Sequence, residues 1–255
     1  MLAGQTSDVI SPLNPTTLNY VVAWWSGNIG YRRPQVRLSR TFDLGGASLV
    51  LRGAAARTIG DDFVAADPGD SGSAAGRPTV QGLAGLSIPM GGRSLSFGAY
   101  AHRGDENLGD DLGGESLEIA SSSWGAYLEI PMGPFTLSGE GWAGSNMDDY
   151  FGGIGQGIVV VDNSATAVST KGGWGQLGWR GSNVRINAGY GIDDPEDDDL
   201  TFSQRSQNSS MWGNVIKDFG GGLQVGLEYS RWKTQYTSLL EGTSSRVQGS
   251  VIYTF

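Results

Sequence analysis

The chain of 255 residues contains no cysteine and only nine prolines, and it has no long apolar run. The absence of cysteine excludes a disulfide framework and any metal site built from thiolates. A transmembrane helix needs about 18 or more apolar residues in succession, so the sequence predicts none. The N-terminal residues, MLAGQTSD, also lack the basic region and apolar run of a signal peptide. Either the protein stays inside the cell, or its natural start lies further upstream.

Basic residues are scarce as well. Lys and Arg number 17 against 26 Asp and Glu, which gives a formal net charge of −9. Binding to nucleic acid requires a basic stripe that neutralises phosphates, so the sequence predicts no nucleic-acid partner.

Glycine and aromatic residues, by contrast, are plentiful. The chain has 42 glycines, 8 tryptophans and 9 tyrosines. The glycines follow no three-residue repeat, which excludes a collagen-like chain, and disordered chains are poor in aromatic residues. This composition is typical of an all-β protein rich in turns.

Apolar and polar residues alternate with period two in twelve segments, each bounded by Gly, Pro, Asn or Asp. The predicted strands lie near 1–6, 33–42, 47–57, 78–89, 93–102, 117–130, 134–145, 172–180, 183–192, 207–217, 222–234 and 245–255. Short connections alternate with long ones along the whole chain. The long segments lie near 7–32, 58–77, 103–116, 146–171, 193–206 and 235–244.

This alternation is typical of outer-membrane barrels, whose periplasmic turns are short and whose extracellular loops are long. The sequence therefore predicts a single domain over 1–255, a transmembrane antiparallel up-and-down β-barrel in the bacterial outer membrane. If the short turns are periplasmic, the last strand ends at the periplasmic interface. Its alternating residues Val251, Tyr253 and Phe255 then resemble the C-terminal signal that directs barrels into the membrane through the barrel-assembly machinery.

The acidic residues are distributed unevenly. All but six lie in the long segments, which makes the predicted extracellular loops acidic, although any solvated loop would show the same tendency. The exceptions are Asp43, Glu118, Glu129, Glu140, Asp218 and Glu228.

The two faces of each strand differ in polarity. Leu95, Phe97, Ala99 and Ala101 alternate with Ser94, Ser96, Tyr100 and His102, for example. A soluble sandwich would show the same pattern with its apolar side inward. Small residues on the apolar face and aromatic residues near strand ends favour lipid contact.

Several charged residues fall on the polar faces. The predicted pore-lining set is Arg33, Arg37, Arg52, Arg185 and Arg246 on the basic side and Glu129, Glu140 and Glu228 on the acidic side. An arginine facing lipid at the bilayer centre costs about 2–4 kcal/mol, so these positions suit a water-filled lumen. An electric field between the basic and the acidic side of the lumen would orient anions and zwitterions. Alternatively, these residues form salt bridges that stiffen the wall and select no solute.

Three motifs suggest other chemistry. Gly69-Asp70-Ser71-Gly72 resembles the nucleophile sequence of trypsin-like proteases, but the single histidine, His102, follows it and is expected to have no serine partner in neighbouring strands. GGIGQG (152–157) lacks the strand–helix context of a nucleotide loop, so no cofactor is expected. The acidic run 193–199 offers oxygen ligands for a divalent cation but not the spacing of an EF-hand. Its weak metal candidates are Asp193, Asp194, Asp197 and Asp199.

Four segments together resemble a known family: LAGQTSDVISPLNPTTLNY (2–20), RRPQVRL (32–38), GGWGQLGW (172–179) and GYGIDDPEDDDL (189–200). They are similar to the DcaP-like outer-membrane porins. The resemblance implies a barrel of about sixteen strands, a homotrimer, an N-terminal periplasmic coiled coil, and passage of small, often anionic solutes. It also implies that Arg33 and Arg37 belong to a constricted basic wall, and that about four strands precede this chain.

The resulting hypothesis is a porin surrounded by outer-membrane lipid and lipopolysaccharide that passes small anionic solutes. The alternative is a structural or adhesive barrel that acts through its extracellular loops. Segment 146–171 is the predicted inward constriction loop.

Overall fold

The computed structural model describes residues 1–60, 71–108, 117–161 and 164–255. Parts of the predicted long loops 58–77, 103–116 and 146–171, together with Gly69 and Asp70, lie outside the described residues. Within the described ranges the main element is one antiparallel sheet of twelve strands.

Each strand of this sheet pairs with the next strand of the sheet along the chain, as in an up-and-down barrel wall. The strands are β1 (Leu2–Ser7), β2 (Arg32–Asp43), β3 (Ser48–Ala56), β4 (Thr79–Met90), β5 (Arg93–Asn107), β6 (Glu118–Met132), β7 (Phe135–Ser145), β10 (Ser169–Arg180), β11 (Val184–Pro195), β12 (Arg205–Gly220), β13 (Leu223–Tyr236) and β14 (Gly242–Tyr253). In the described part of the chain, β1 and β14 are the two edges and do not pair with each other.

The remaining elements are small. A separate hairpin, β8 (Ile158–Val161) and β9 (Ser164–Ala167), lies between β7 and β10. A helical turn, α1, covers Ser71–Ala74, and 3-10 turns cover Asp148–Tyr150 and Asp197–Asp199.

Glycine forms the short connections at one end of the sheet. Gly91 and Gly92 join β4 to β5 with φ of 59° and 80°, and Gly221 and Gly222 join β12 to β13 with φ of 60° and 83°. Such positive φ values suit tight hairpin turns and are open to glycine at no steric cost. The twelve predicted strands and the alternation of short and long connections are confirmed.

Strand ends differ from the prediction. β5 continues through Asp105 and Glu106, and β11 through Asp193 and Asp194, all four of which the sequence placed in loops. Backbone hydrogen bonds between the strands continue beyond the last apolar residues of the outer face. Charged residues therefore also occupy positions within the strands. At the C-terminus, β14 ends at Tyr253, so Phe255 lies just beyond the strand that was predicted to include it.

The two faces of the sheet separate as predicted. Register places Ile130, Leu137 and Leu177 side by side across β6, β7 and β10, and this row continues through Ala188 to Tyr229. Leu137, Leu177 and Tyr229 are 40%, 46% and 47% exposed. We call this side the outer face, and the opposite side, which carries the polar residues, the inner face.

Candidate functional site

A long segment between β1 and β2, residues 8–31, lies against the inner face; we call it the inward segment. Val9, Ile10 and Ile29 pack with Tyr100 and Trp142 of the wall. Further along, Val22 and Ala23 pack with Trp174 and Trp212. The inward segment therefore contacts the wall from β3 to β13 instead of extending into solvent as a loop.

Two buried glutamates hold this segment by its backbone. The Glu140 carboxylate accepts a hydrogen bond from Ser11 Oγ at 2.5 Å and one from the Leu13 N–H at 2.6 Å. The Glu228 carboxylate accepts from the N–H groups of Leu18 at 2.7 Å and Asn19 at 3.0 Å. An irregular buried segment has no ladder partners, so side-chain acceptors on the wall must satisfy its N–H groups.

Two glutamines extend the same arrangement. Gln81 Oε1 accepts from the Val9 N–H at 2.6 Å, and Gln176 Oε1 accepts from the Thr16 N–H at 2.7 Å. Acceptors from β4, β7, β10 and β13 thus meet successive parts of the inward segment. This series of anchors fixes its path across the inner face.

The start of the inward segment is held by a buried ion pair. Asp8 Oδ1 lies 3.0 Å from Arg33 Nε, and both side chains are almost fully buried. Burial raises the pKa of the Asp8 carboxyl, and the charge of Arg33 partly offsets that rise. The Arg33 guanidinium also lies 4.1 Å from the centre of the Tyr150 ring. The charges of Asp8 and Arg33 therefore largely cancel.

Glycine allows the inward segment to approach the wall closely. Gly27 has φ of +112°, and a Cβ there would collide with the carbonyl oxygen of Gly173 in β10. Trp142 Nε1 donates to the Gly27 carbonyl at 2.8 Å, and Ser26 Oγ donates to Ser210 Oγ at 2.8 Å. Contact at this point thus depends on a residue without a side chain.

Register places all eight predicted pore-lining residues on the inner face, but in different surroundings. Arg33, Glu140 and Glu228 are buried under the inward segment and bonded as described above. Arg37 donates to the Ser7 carbonyl and to Gln35, and Arg185 donates to Gln224 at 2.9 Å. Within the described ranges, Arg37, Arg52, Arg185 and Arg246 make no ion pair with a carboxylate.

Sequence reasoning predicted one inward-packing segment, 146–171, and missed the one that crosses more of the inner face. Segment 146–171 contributes the buried residues Met147, Tyr150 and Ile154, but residues 8–31 make the anchoring contacts across the inner face. A signal was present in the apolar pairs Val9-Ile10 and Val21-Val22, followed by Trp24-Trp25, which are unusual in a solvated loop.

His102 has serine partners, contrary to the prediction. Its Nδ1 lies 2.6 Å from Ser123 Oγ and its Nε2 3.1 Å from Ser121 Oγ, both on the neighbouring strand. All three residues are at most 5% exposed, and the two serine hydroxyls occupy both ring nitrogens of His102. The cluster continues to the Asn146 carbonyl, which accepts from Ser121 Oγ at 2.7 Å. It joins strands and a loop and lacks the open face that a nucleophilic serine requires.

Residues of the GDSG and GGIGQG motifs also form hydrogen bonds to strands of the wall. Ser71 Oγ donates to Glu106 at 2.8 Å. In GGIGQG, the Ile154 N–H donates to Asp193, which also accepts from Thr170 Oγ1 at 2.8 Å.

The four metal candidates have separate surroundings. Asp193 is buried in the contacts just described, Asp194 accepts from Gln207 at 2.9 Å, and Asp199 accepts from the Ser169 N–H at 2.8 Å. Asp197 begins the 3-10 turn. Among the described residues, no group of three potential ligands is close enough to hold a metal ion.

The C-terminal candidates lie at an edge of the sheet. Val251 and Tyr253 project from the outer face of β14 and are 72% and 63% exposed, and Phe255 beyond them is fully exposed. The Tyr253 and Phe255 rings stack with centroids 6.3 Å apart.

In the part of the chain that the structure describes, no helix is long and apolar enough to cross a bilayer. No protein-family model matches the sequence, and no curated protein matches it. Solved structures do match. The outer membrane channel DcaP of Acinetobacter baumannii superposes with a TM-score of 0.80 at 18% identity, over 99% of this chain and 71% of that one.

The chain has the fold of an outer-membrane channel. OmpT, an outer membrane protein of Vibrio cholerae, is also similar, with a TM-score of 0.57 at 11% identity over 98% of this chain and 74% of that one. A loop-deletion mutant of OmpT gives a TM-score of 0.54 at 10% identity. The DcaP-like architecture expected from the sequence segments is thus matched at the level of the fold.

Proposed function

We propose that this chain forms the wall and constriction of a bacterial outer-membrane porin, a diffusion channel for small hydrophilic solutes. The observation that carries the proposal is the inward segment, which backbone anchors on β4, β7, β10 and β13 hold across the inner face. A segment fixed in this way narrows the path along the inner face. Two cavities, of about 840 and 440 Å³, remain on either side of Trp24.

We further propose that the channel prefers anions. Glu140 and Glu228 are buried under the inward segment, where each accepts hydrogen bonds from it. Arg37, Arg52, Arg185 and Arg246 carry charge on the same face without a carboxylate partner in the described ranges. Of the eight predicted lining charges, four arginines and Glu129 thus lie outside the contacts with the inward segment, and this excess of positive charge favours anions in a narrow pore.

Closure and assembly belong to the same proposal. β1 and β14 run antiparallel, so an even number of further strands between them would complete a barrel. About four more, in a longer chain, would give the sixteen that the family resemblance implies. Resemblance also supports a homotrimer in the outer membrane, inserted by the barrel-assembly machinery and surrounded by lipid and lipopolysaccharide.

The test is electrical recording of the purified chain in a planar bilayer across a KCl gradient. The expected result is discrete conductance steps with a reversal potential of the sign for chloride. Arg37→Gln and Arg52→Gln should shift that potential towards zero. Arg40→Gln is the matched control, because Arg40 is exposed on the outer face of the same strand.

A cation-selective channel would overturn the anion preference and leave the porin proposal standing. A protein that inserts as a closed, heat-modifiable barrel and remains silent would overturn the porin proposal and favour an adhesive barrel. Insertion itself is checked by heat-modifiable migration on a gel, which reports a folded barrel independently of conductance.

A further inference from the structure

The larger of the two cavities lies between the inward segment and strands β1 and β2. Its volume is about 840 Å³, and its wall includes Gln5 and Ser7 of β1 and Arg32 of β2. Proteins bind small molecules in cavities of about 300–1,000 Å³ lined by aromatic groups and a few polar groups. The lining of this cavity fits that description.

Four aromatic rings follow one another along the cavity. The centroids of Tyr20 and Trp24 are 5.8 Å apart, those of Trp24 and Phe151 are 5.0 Å apart, and those of Phe151 and Tyr31 are 5.2 Å apart. Tyr20 is 74% exposed and Tyr31 43%, so both ends of the row are open to a ligand. Such rings pack against the flat face of a ring-shaped solute.

Amide groups lie in the same cavity. Asn28 is 1% exposed, and its Oδ1 accepts no hydrogen bond from the described residues. Its Nδ2 donates to Asn14 Oδ1 at 3.5 Å, and Asn14 also lines the cavity. An amide offers both donors and acceptors, which neighbouring hydroxyl groups on a ring can satisfy together.

Charge in the cavity is limited. Asp8 lines it, but Arg33 neutralises that carboxylate. Arg32 is exposed and is the one remaining charged side chain of the described lining. Neutral amides, hydroxyl groups and rings thus outnumber the single cation, which favours an uncharged polyhydroxylated ring over a carboxylate.

We propose that this cavity is a binding subsite for cyclic sugars, which stack on the row Tyr20–Trp24–Phe151–Tyr31 and hydrogen-bond to Asn14 and Asn28. The proposal rests on the diffusion channel of the proposed function and is independent of its anion preference, because a cyclic sugar is uncharged. The rings continue on the far side of Trp24, where Trp25 and Trp232 line the second cavity.

The test compares glucose and maltose with the acyclic polyol sorbitol in single-channel recordings of the full chain. Glucose and maltose should interrupt the current with a saturating concentration dependence, whereas sorbitol should lower it only through the conductivity of the solution. Tyr20→Ala and Tyr31→Ala should each raise the half-saturating sugar concentration about tenfold. Neither side chain is buried, so neither change removes a residue of the core.

The matched control is Tyr190→Ala, since Tyr190 is 50% exposed on the outer face, away from the cavity. It should leave sugar binding unchanged. If benzoate blocks the current in place of the sugars, and Arg32→Gln removes that block, the site binds ring-bearing anions and the proposal is wrong. Equal blocking by glucose and sorbitol would also overturn it.

A channel that never opens would contradict the proposed function, and the subsite would then be tested without current. Tryptophan fluorescence of the detergent-solubilised chain should change saturably with maltose and not with sorbitol, because Trp24 lies in the cavity. An unchanged spectrum would overturn the subsite by itself. If maltose changes the fluorescence saturably but the channel stays silent, the sugar subsite is supported and the porin proposal is wrong.

Discussion

At the scale of single residues, Glu140 and Glu228 show how position changes the role of a charge. Both are inner-face glutamates, and both direct their carboxylate oxygens at backbone N–H groups of the inward segment. Hydrogen bonds to a charged acceptor contribute about 1.5–3 kcal/mol each, which is more than neutral bonds contribute. These glutamates therefore position the inward segment, and their carboxylates are buried beneath it.

Glu140→Gln should loosen the inward segment near its anchor. Glutamine has one acceptor oxygen in place of two and directs an amide donor at groups that are themselves donors. The Leu13 amide should exchange hydrogen for deuterium faster, by roughly tenfold, in the folded protein. Hydrogen–deuterium exchange with mass spectrometry measures the change.

Glu129→Gln is the control for this substitution. Glu129 is a half-buried inner-face carboxylate on β6, and the inward segment makes no hydrogen bond to it among the described residues. Equal exchange rates in the two variants would show that Glu140 does not anchor the segment.

Gly27→Ala should destabilise the same contact by steric means. A methyl group at Gly27 collides with the Gly173 carbonyl and also forces a φ that alanine disfavours. We expect a loss of about 1–3 kcal/mol in unfolding free energy. Gly175→Ala, in the same strand as Gly173, has open space around its Cβ and should cost far less. The urea midpoint of the heat-modifiable band distinguishes them.

At the scale of elements, the wall and the inward segment depend on each other unequally. The wall is an antiparallel ladder whose backbone groups satisfy one another strand by strand. The inward segment has almost no ladder of its own and takes its partners from side chains of that wall. The segment should therefore be removable while the sheet remains.

Replacing residues 12–28 by a flexible Gly/Ser linker should widen the path. The expected result is a single-channel conductance at least about twofold higher, with weaker selectivity, because the constriction is gone. Far-ultraviolet circular dichroism should still report the β-sheet. Shortening the exposed loop 237–241 is the control and should leave conductance unchanged. An unchanged conductance in the 12–28 variant would place the constriction elsewhere.

At the scale of the whole molecule, the charge is divided between regions. The net charge of −9 comes mainly from acidic residues in the long segments, while the predicted lining charges left outside the contacts with the inward segment are four arginines and Glu129. The outer face is apolar and exposed, as contact with lipid requires. This division suits a channel whose entrance, path and surroundings have different chemistry.

Phe255→Ala should reduce assembly more than stability. Phe255 lies beyond β14, and among the rings of the described residues it packs only on Tyr253. Its removal should therefore change the unfolding free energy little. If it belongs to the insertion signal, less of the variant should reach the outer membrane as a heat-modifiable form. Thr254→Ala is the neighbouring control. Normal assembly of the Phe255 variant would remove this residue from the signal.

The sequence by itself determined the twelve strands, their order and the division into two faces. These features depend on residues close together in the chain: alternation with period two, and turn-forming glycines such as Gly91 and Gly92. Strand ends were less predictable, because the ladder continues through Asp193 and Asp194 after the apolar alternation has stopped. The fold thus followed from local patterns.

Only the tertiary structure decided which segment crosses the inner face and which charges remain unpaired. Leu18 and its acceptor Glu228 are 210 residues apart, and Ser11 and Glu140 are 129 apart. No periodicity links such distant residues, because the barrel wall brings them together only after its strands have paired. The same contacts turned two predicted pore charges into anchors and paired Arg33 with Asp8, so the chemistry of the path is a property of the folded wall.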